Sequence, residues 1–218
     1  MNQKIKLTQR IKKTIKPAYK ELFPDLIYYI KKELKECKSI LDLGCGYNSV
    51  LQYVNTPIKV GVELFVPYLE QSEKKGIHHQ YINKDIREVD FGPKSFDAVI
   101  MIDVLEHLTK EDGLKLIKKI EKWVKKKILI LTPNGFVNQD AYDNNFLQEH
   151  KSGWNVEGFK DMGFNVYGIN GLKILRGYGA LMKYKPVFFW TVVSDVTQKI
   201  VYHFPKFAFH LFAVKKIK

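Results

Sequence analysis

Residues 40–49 read ILDLGCGYNS: an apolar run, an aspartate, then Gly44 and Gly46 one residue apart. Glycines at such a place let a ligand approach the backbone, because no Cβ intervenes and left-handed backbone is open to them. Phosphate chemistry fits poorly. The dinucleotide fingerprint G-x-G-x-x-G needs a glycine at position 49, which is Ser49, and Asp42 would meet an incoming pyrophosphate with like charge. A phosphate-binding P-loop needs a following G-K-[ST], and none is present. The ligand expected here is cationic or neutral where it meets the loop.

Acid–base chemistry has two candidates. His150, in QEHKSGW, is the first candidate general base, and His107, in DVLEHL, is the weaker one. Each has a structural alternative: a loop-stabilising hydrogen bond for His150, a place in the helix start for His107. His78 and His79 lie at a strand start without ligand companions and are expected to be structural or solvated. His203 and His210 sit among aromatics and carry no readable role. No spacing of His, Cys, Asp and Glu calls for a metal, so none is expected. Cys37 and Cys45 indicate no disulfide framework, and a reducing compartment follows.

The elements that must position these residues alternate along the chain. SILDL (39–43), IKVGVE (58–63), HHQYIN (78–83), FDAVIMI (96–102), KILILT (127–132), FNVYGI (164–169) and FAFHLFAV (207–214) read as strands. Helices are expected from Pro24-Asp25 through LIYYIKKELKEC, opening at SVLQYV, over PYLEQSEKK to Gly76, over 104–125, and over WNVEGFKDMG. Strands alternating with helices imply βαβ units and a mostly parallel sheet, with ligands at the carboxyl ends of the strands. The functional shortlist is therefore 42–48, 63, 85–86, 103–107 and 132–136.

At this point LDLGCG resembles the first motif of the class I S-adenosylmethionine-dependent methyltransferases, an acidic residue followed by G-x-G at the end of the first strand. FDAVIMIDVLEHL resembles the fourth strand and following helix of their ubiquinone/menaquinone-biosynthesis-like group, methyltransferase type 11. The resemblance covers most of residues 39–172. It implies an α/β, Rossmann-like, doubly wound and mostly parallel seven-stranded sheet with the last strand antiparallel. It also implies a cofactor site in which Asp42, Gly44, Cys45 and Gly46 meet the methionine part of S-adenosylmethionine. Glu63, with Leu64 beside it, would accept the ribose hydroxyls. Asp85 would bind the adenine amino group, and Ile86 would pack on the ring. Ile102, Asp103 and Val104 would flank the cofactor and face the substrate, with S-adenosylhomocysteine as product. Asn48 stands where the family often has a third glycine. The Asn/Asp-Pro-Pro-aromatic motif of base-amino methylation is missing after the fourth strand, which disfavours that chemistry.

TPNGFVNQDAYDNNFLQEHKSGW with MGFNVYGINGLK (132–173) resembles prokaryotic methyltransferases linked to glycan, lipid or other small-molecule modification. This polar loop suits a hydroxyl-bearing acceptor. Charge is uneven around it. Residues 1–38 carry 11 Lys/Arg against 4 Asp/Glu and residues 173–218 carry 9 against 1, whereas 39–172 carry 16 against 18. Basic ends around a near-neutral centre suit an acidic partner or surface. The aromatic, basic segment 173–206 is open to four readings: a lid over an acidic or lipid-linked acceptor, a membrane-surface contact, an RNA contact, or a plain cover for the sheet.

One methyltransferase domain over 1–218 is expected. It comprises a basic helical extension (1–38), a cofactor-binding core (39–172), a basic-aromatic insertion or lid (173–206) and a final strand (207–218). The expected reaction is methyl transfer to a hydroxyl, or an amine, of a small molecule or glycan/lipid intermediate. An RNA methyltransferase and a non-catalytic cofactor-binding module are the alternatives. With no run of ~18 apolar residues and no apolar leader, a cytoplasmic protein is expected.

Overall fold

The structure, a computed structural model, describes residues 24–177 and 180–217. Among these, seven strands form one sheet in the order β3-β2-β1-β4-β5-β7-β6. β1 (Ser39–Leu43), β2 (Ile58–Val62), β3 (Gln80–Ile82), β4 (Phe96–Ile102) and β5 (Val124–Pro133) are parallel. β7 (Ala208–Lys216) lies antiparallel between β5 and β6 (Asn165–Leu172). This is the expected Rossmann-like sheet, and the amphipathic stretch 4–16 lies outside the described residues.

The helices are α1 (Leu26–Leu34), α2 (Val66–Lys74), α3 (Lys110–Trp123), α4 (Val156–Asp161) and α5 (Val187–His203). Side chains alternate across a strand, so the central strands feed two layers. Leu41, Leu43, Val99 and Met101 pack with Leu116, Ile117 and Ile120 of α3. Ile40, Ala98 and Ile100 pack with Ile30 and Leu34 of α1 on the other face. Each such Val, Leu, Ile or Met side chain contributes about 1.5–3 kcal/mol by leaving water. That explains why β1 and most of β4 read as unbroken apolar runs: both faces are covered.

Two helix expectations are corrected. SVLQYV forms a single 3-10 turn, Val50–Tyr53, because Val54 is already extended and Pro57 follows closely. The expected helix over 104–125 is broken. Asp103 takes left-handed backbone (φ 53°), Leu105–His107 form a 3-10 turn, and α3 starts only at Lys110. Thr109 caps it, its hydroxyl accepting from the Asp112 amide at 3.1 Å. The break places Asp103, Glu106 and His107 on a loop at the sheet edge instead of along one helix face.

The segment between β6 and β7 covers the end of the sheet. Tyr202 of α5 stacks between Tyr29 and Tyr167, and Gln198 donates to the Gly168 carbonyl at 2.9 Å while accepting from the Gly171 amide.

Candidate active site

The strand order reverses between β1 and β4, and a crevice opens at the carboxyl ends of strands flanking such a point. A cavity of about 430 Å³ occupies it. Four successive loops wall it: 44–50 after β1, Glu63 and Leu64 after β2, 85–87 beyond β3, and 102–104 with His107 to Thr109 after β4. The loop after β5 adds Tyr142, Leu147, Gln148 and Lys151. Among the described residues of 173–206, none lines it, so this insertion packs on β6 and away from the cavity wall.

The glycine loop is shaped for close approach. Gly44 has φ +68°, and a Cβ there would lie 2.6 Å from Cγ2 of Val104. The β1 and β4 loops thus meet at a distance that only glycine permits. The amides of Gly44 and Cys45 donate to the Val62 carbonyl at 2.8 and 3.0 Å, fixing the loop against β2. Burial, with Asp42 and Glu63 nearby, pushes the Cys45 thiol up, which leaves it without nucleophilic character.

Glu63 holds that loop from the other side. Its two oxygens accept from the Gly46 amide at 3.0 Å and the Phe65 amide at 2.8 Å. The residue is only 8% exposed, and burial raises its pKa against the opposing pull of these amides. Each carboxylate oxygen has a further lone pair, so the pair fits two vicinal hydroxyls at the cavity wall. Asp85 also lines the cavity, but its carboxylate is engaged: Arg87 donates to both oxygens, Nη2 to Oδ2 at 2.5 Å and Nε to Oδ1 at 3.0 Å. The Arg87 contact holds the Asp85 carboxyl below its usual range.

Asp42 is the exception among the residues assigned to the cofactor. It is 2% exposed and absent from the cavity wall. Its carboxylate accepts from Ser49 Oγ at 2.5 Å and from His78 Nε2 at 3.0 Å. Ser49, in turn, accepts from the Leu51 amide at 3.1 Å. Asp42 therefore braces the glycine loop from behind. Gly44, Cys45, Gly46, Glu63, Leu64, Asp85, Ile86, Ile102, Asp103 and Val104 all line the cavity.

On the β4 side the Asp103 side chain lines the cavity and is 51% exposed, with its Oδ1 3.5 Å from Nε2 of His210. Packing of the surrounding protein raises its carboxyl above the usual carboxylate range. His107 lines the wall next to it, while His150 stands behind His107, the ring centroids 4.8 Å apart. Burial lowers His107 to about 4, and burial lowers His150 as well. Sequence reading missed Tyr68, whose hydroxyl donates to Asp143 at 2.8 Å, and Arg87. Neither carries a motif of its own. It also left open what His78 does, which the Asp42 contact answers.

Fold and cavity together define a Rossmann-like sheet with a crevice at its topological switch point, and the comparisons narrow what that crevice serves. Residues 41–131 match the family model of a methyltransferase domain, the type 11 group. The matched segment carries a methyltransferase domain, and methyl transfer from S-adenosylmethionine is the activity this match supports. An uncharacterized protein of Methanocaldococcus jannaschii is 24% identical over 184 residues, covering 82% of this chain and 80% of that protein. The probable (S)-tetrahydroprotoberberine N-methyltransferase 2 of Papaver bracteatum is 26% identical over 113 residues, 48% of this chain and 31% of its own length. The chain thus spans about a third of that enzyme. Among solved structures, the plantazolicin methyltransferase BpumL in complex with SAH superposes with TM-score 0.54 at 15% identity. That match covers 95% of this chain and 91% of that one, and shows a shared fold.

Proposed function

We propose that the chain moves a methyl group to a hydroxyl of a polar small molecule or of a glycan or lipid intermediate. S-adenosylmethionine supplies an electrophilic methyl on a positively charged sulfur. The protein must then align the acceptor, keep water out and take up a proton. In this reading Glu63 holds the ribose hydroxyls, and Asp85 and Ile86 hold the adenine. Gly44, Cys45 and Gly46 border the methionine part, with Asp42 bracing them. Leu64, Ile102 and Val104 complete the apolar wall.

The observation that carries the acceptor assignment is the Asp103 carboxylate, held in the cavity on left-handed backbone beside His107. A carboxylate there suits an acceptor hydroxyl that must lose its proton, and His107 offers a neutral nitrogen next to it. His150 acts through His107, not directly on the acceptor. The amine alternative draws support from the named N-methyltransferase relatives, which are similar over about half of this chain. The test is a release assay for S-adenosylhomocysteine across pools of hydroxyl- and amine-bearing acceptors. Turnover is expected with the hydroxyl pool, and Asp103→Asn should lower it by ~10²–10⁴-fold. Turnover confined to amines, or an unchanged rate in Asp103→Asn, contradicts the assignment.

The same reading places a cytoplasmic enzyme at an anionic membrane surface. Among the described residues no helix is long and apolar enough to cross a bilayer. However, α5 exposes Val187, Phe188, Phe189, Val192, Val196 and Ile200, within a segment of strongly basic charge. Sedimentation with phosphatidylserine vesicles but not with phosphatidylcholine vesicles is the expected result. Equal recovery in both supernatants rejects the contact.

A further inference from the structure

Glu106 is 2% exposed, and among the described residues its Oε2 accepts no well-formed hydrogen bond; the Thr132 hydroxyl, itself left unpaired, is the polar group next to the carboxyl. A buried carboxylate oxygen left unpaired costs more than most single contacts return, so its persistence calls for a ligand. Two imidazoles stand beside it. One ligating atom from each of Glu106, His107 and His150 lies within 4.8 Å of the other two.

The tautomers are set by the backbone. Nδ1 of His107 faces the Glu149 carbonyl at 3.1 Å, and Nδ1 of His150 faces the Val137 carbonyl at 2.7 Å. A carbonyl oxygen only accepts, so protonated Nδ1 with a lone pair on Nε2 is the tautomer these two contacts favour, although the Asp103 carbonyl also faces the His107 ring. Carbonyl-anchored Nδ1 with a free Nε2 is how metal-binding histidines are oriented. The loop bearing His150 is tied to the loop after β4 by the amides of Lys151 and Ser152, which donate to the Glu106 carbonyl at 2.8 and 3.1 Å.

We infer that Glu106, His107 and His150 form a binding site for one divalent transition ion at the end of the cavity that His107 walls. Two imidazole nitrogens and one carboxylate suit Zn²⁺ or Mn²⁺ better than an all-oxygen ion, and three protein ligands leave positions open. Bonds of ~2.1 Å would bring the ligating atoms to roughly 3.4 Å from one another, a closure of up to about 1.4 Å from the present spacing.

The open positions suit an acceptor hydroxyl, a role that rests on the methyl-transfer reading, whereas ion binding does not. The ion would polarise the O–H bond. The proton passes to the Asp103 carboxylate, the O–CH₃ bond forms as the C–S bond breaks, and the electron pair stays on sulfur.

The test uses the full chain, stripped with EDTA and titrated with Co²⁺, Zn²⁺ and Mn²⁺ by absorption and calorimetry. One saturable equivalent is expected. Glu106→Gln and His150→Ala should each bind it at least ~10-fold more weakly while keeping the affinity for S-adenosylhomocysteine. If Glu106→Gln fails to fold, His150→Ala decides alone. No saturable equivalent with any of the three ions, or wild-type affinity in the variants, overturns the site. A protein that binds the ion but not S-adenosylhomocysteine would refute the cofactor site and leave the ion site standing.

Discussion

Carboxylates with the same nominal assignment do different work here. Glu63 faces the cavity with two oxygens that each retain an acceptor site, whereas Asp42 spends its carboxylate on Ser49 and His78 behind the loop. Substituting them should therefore separate two readouts. Asp42→Ala removes a buried hydrogen-bond hub and should destabilise the fold by about 1–3 kcal/mol, read as a lower urea midpoint. Glu63→Gln sets an amide NH2 against one of the Gly46 and Phe65 amides, so it should lower that midpoint by less than Asp42→Ala and mainly weaken the cofactor product. Equal loss of stability in both variants would deny Asp42 its bracing role. The sequence motif located both residues but said nothing about direction. The partner of Asp42 is 36 positions away, and no local pattern connects a strand-end aspartate to a histidine at a later strand.

Elements differ in how far the chain announces them. The strands of the parallel sheet were legible because β1 and β4 are buried on both faces, and continuous apolar runs have few other uses. The loop 103–109 was not legible, since a left-handed Asp103 and a Thr109 cap interrupt what hydrophobic periodicity reads as one helix. Equally hidden is the approach of α3 to Trp154: a Cβ at Gly113 would lie 2.7 Å from its Cζ2. Alanine is the better helix former, yet Gly113→Ala should cost about 1–3 kcal/mol because the close contact outweighs the propensity gain. A raised thermal midpoint in that variant would mean the helix and the tryptophan loop yield freely. The meeting of His150 with Glu106 and His107 belongs to this scale as well. It depends on loop 134–155 folding back across the sheet edge, which sequence spacing of 43 residues does not record.

For the whole molecule, buried neutral histidines couple stability to acidity. His210 is 8% exposed, and burial, with Arg176 adding like charge, lowers its pKa to about 3. The unfolded chain takes up that proton near 6.5, whereas the folded chain does so only near 3, so stability present above 6.5 is lost as pH falls through this window. The slope is ~1.4 kcal/mol per pH unit for one such group, and urea midpoints at pH 7 and pH 5 should diverge less in His210→Gln than in the wild type. Parallel pH responses would remove His210 as a cause. Every functional assignment at this scale rests on one cavity at the β1–β4 reversal receiving the cofactor. Calorimetry of S-adenosylhomocysteine with the wild type and Glu63→Gln tests this most directly. The expected result is a single site in the wild type, weakened by about 1–3 kcal/mol in Glu63→Gln. No binding to the wild type, or the same affinity in both proteins, would contradict it.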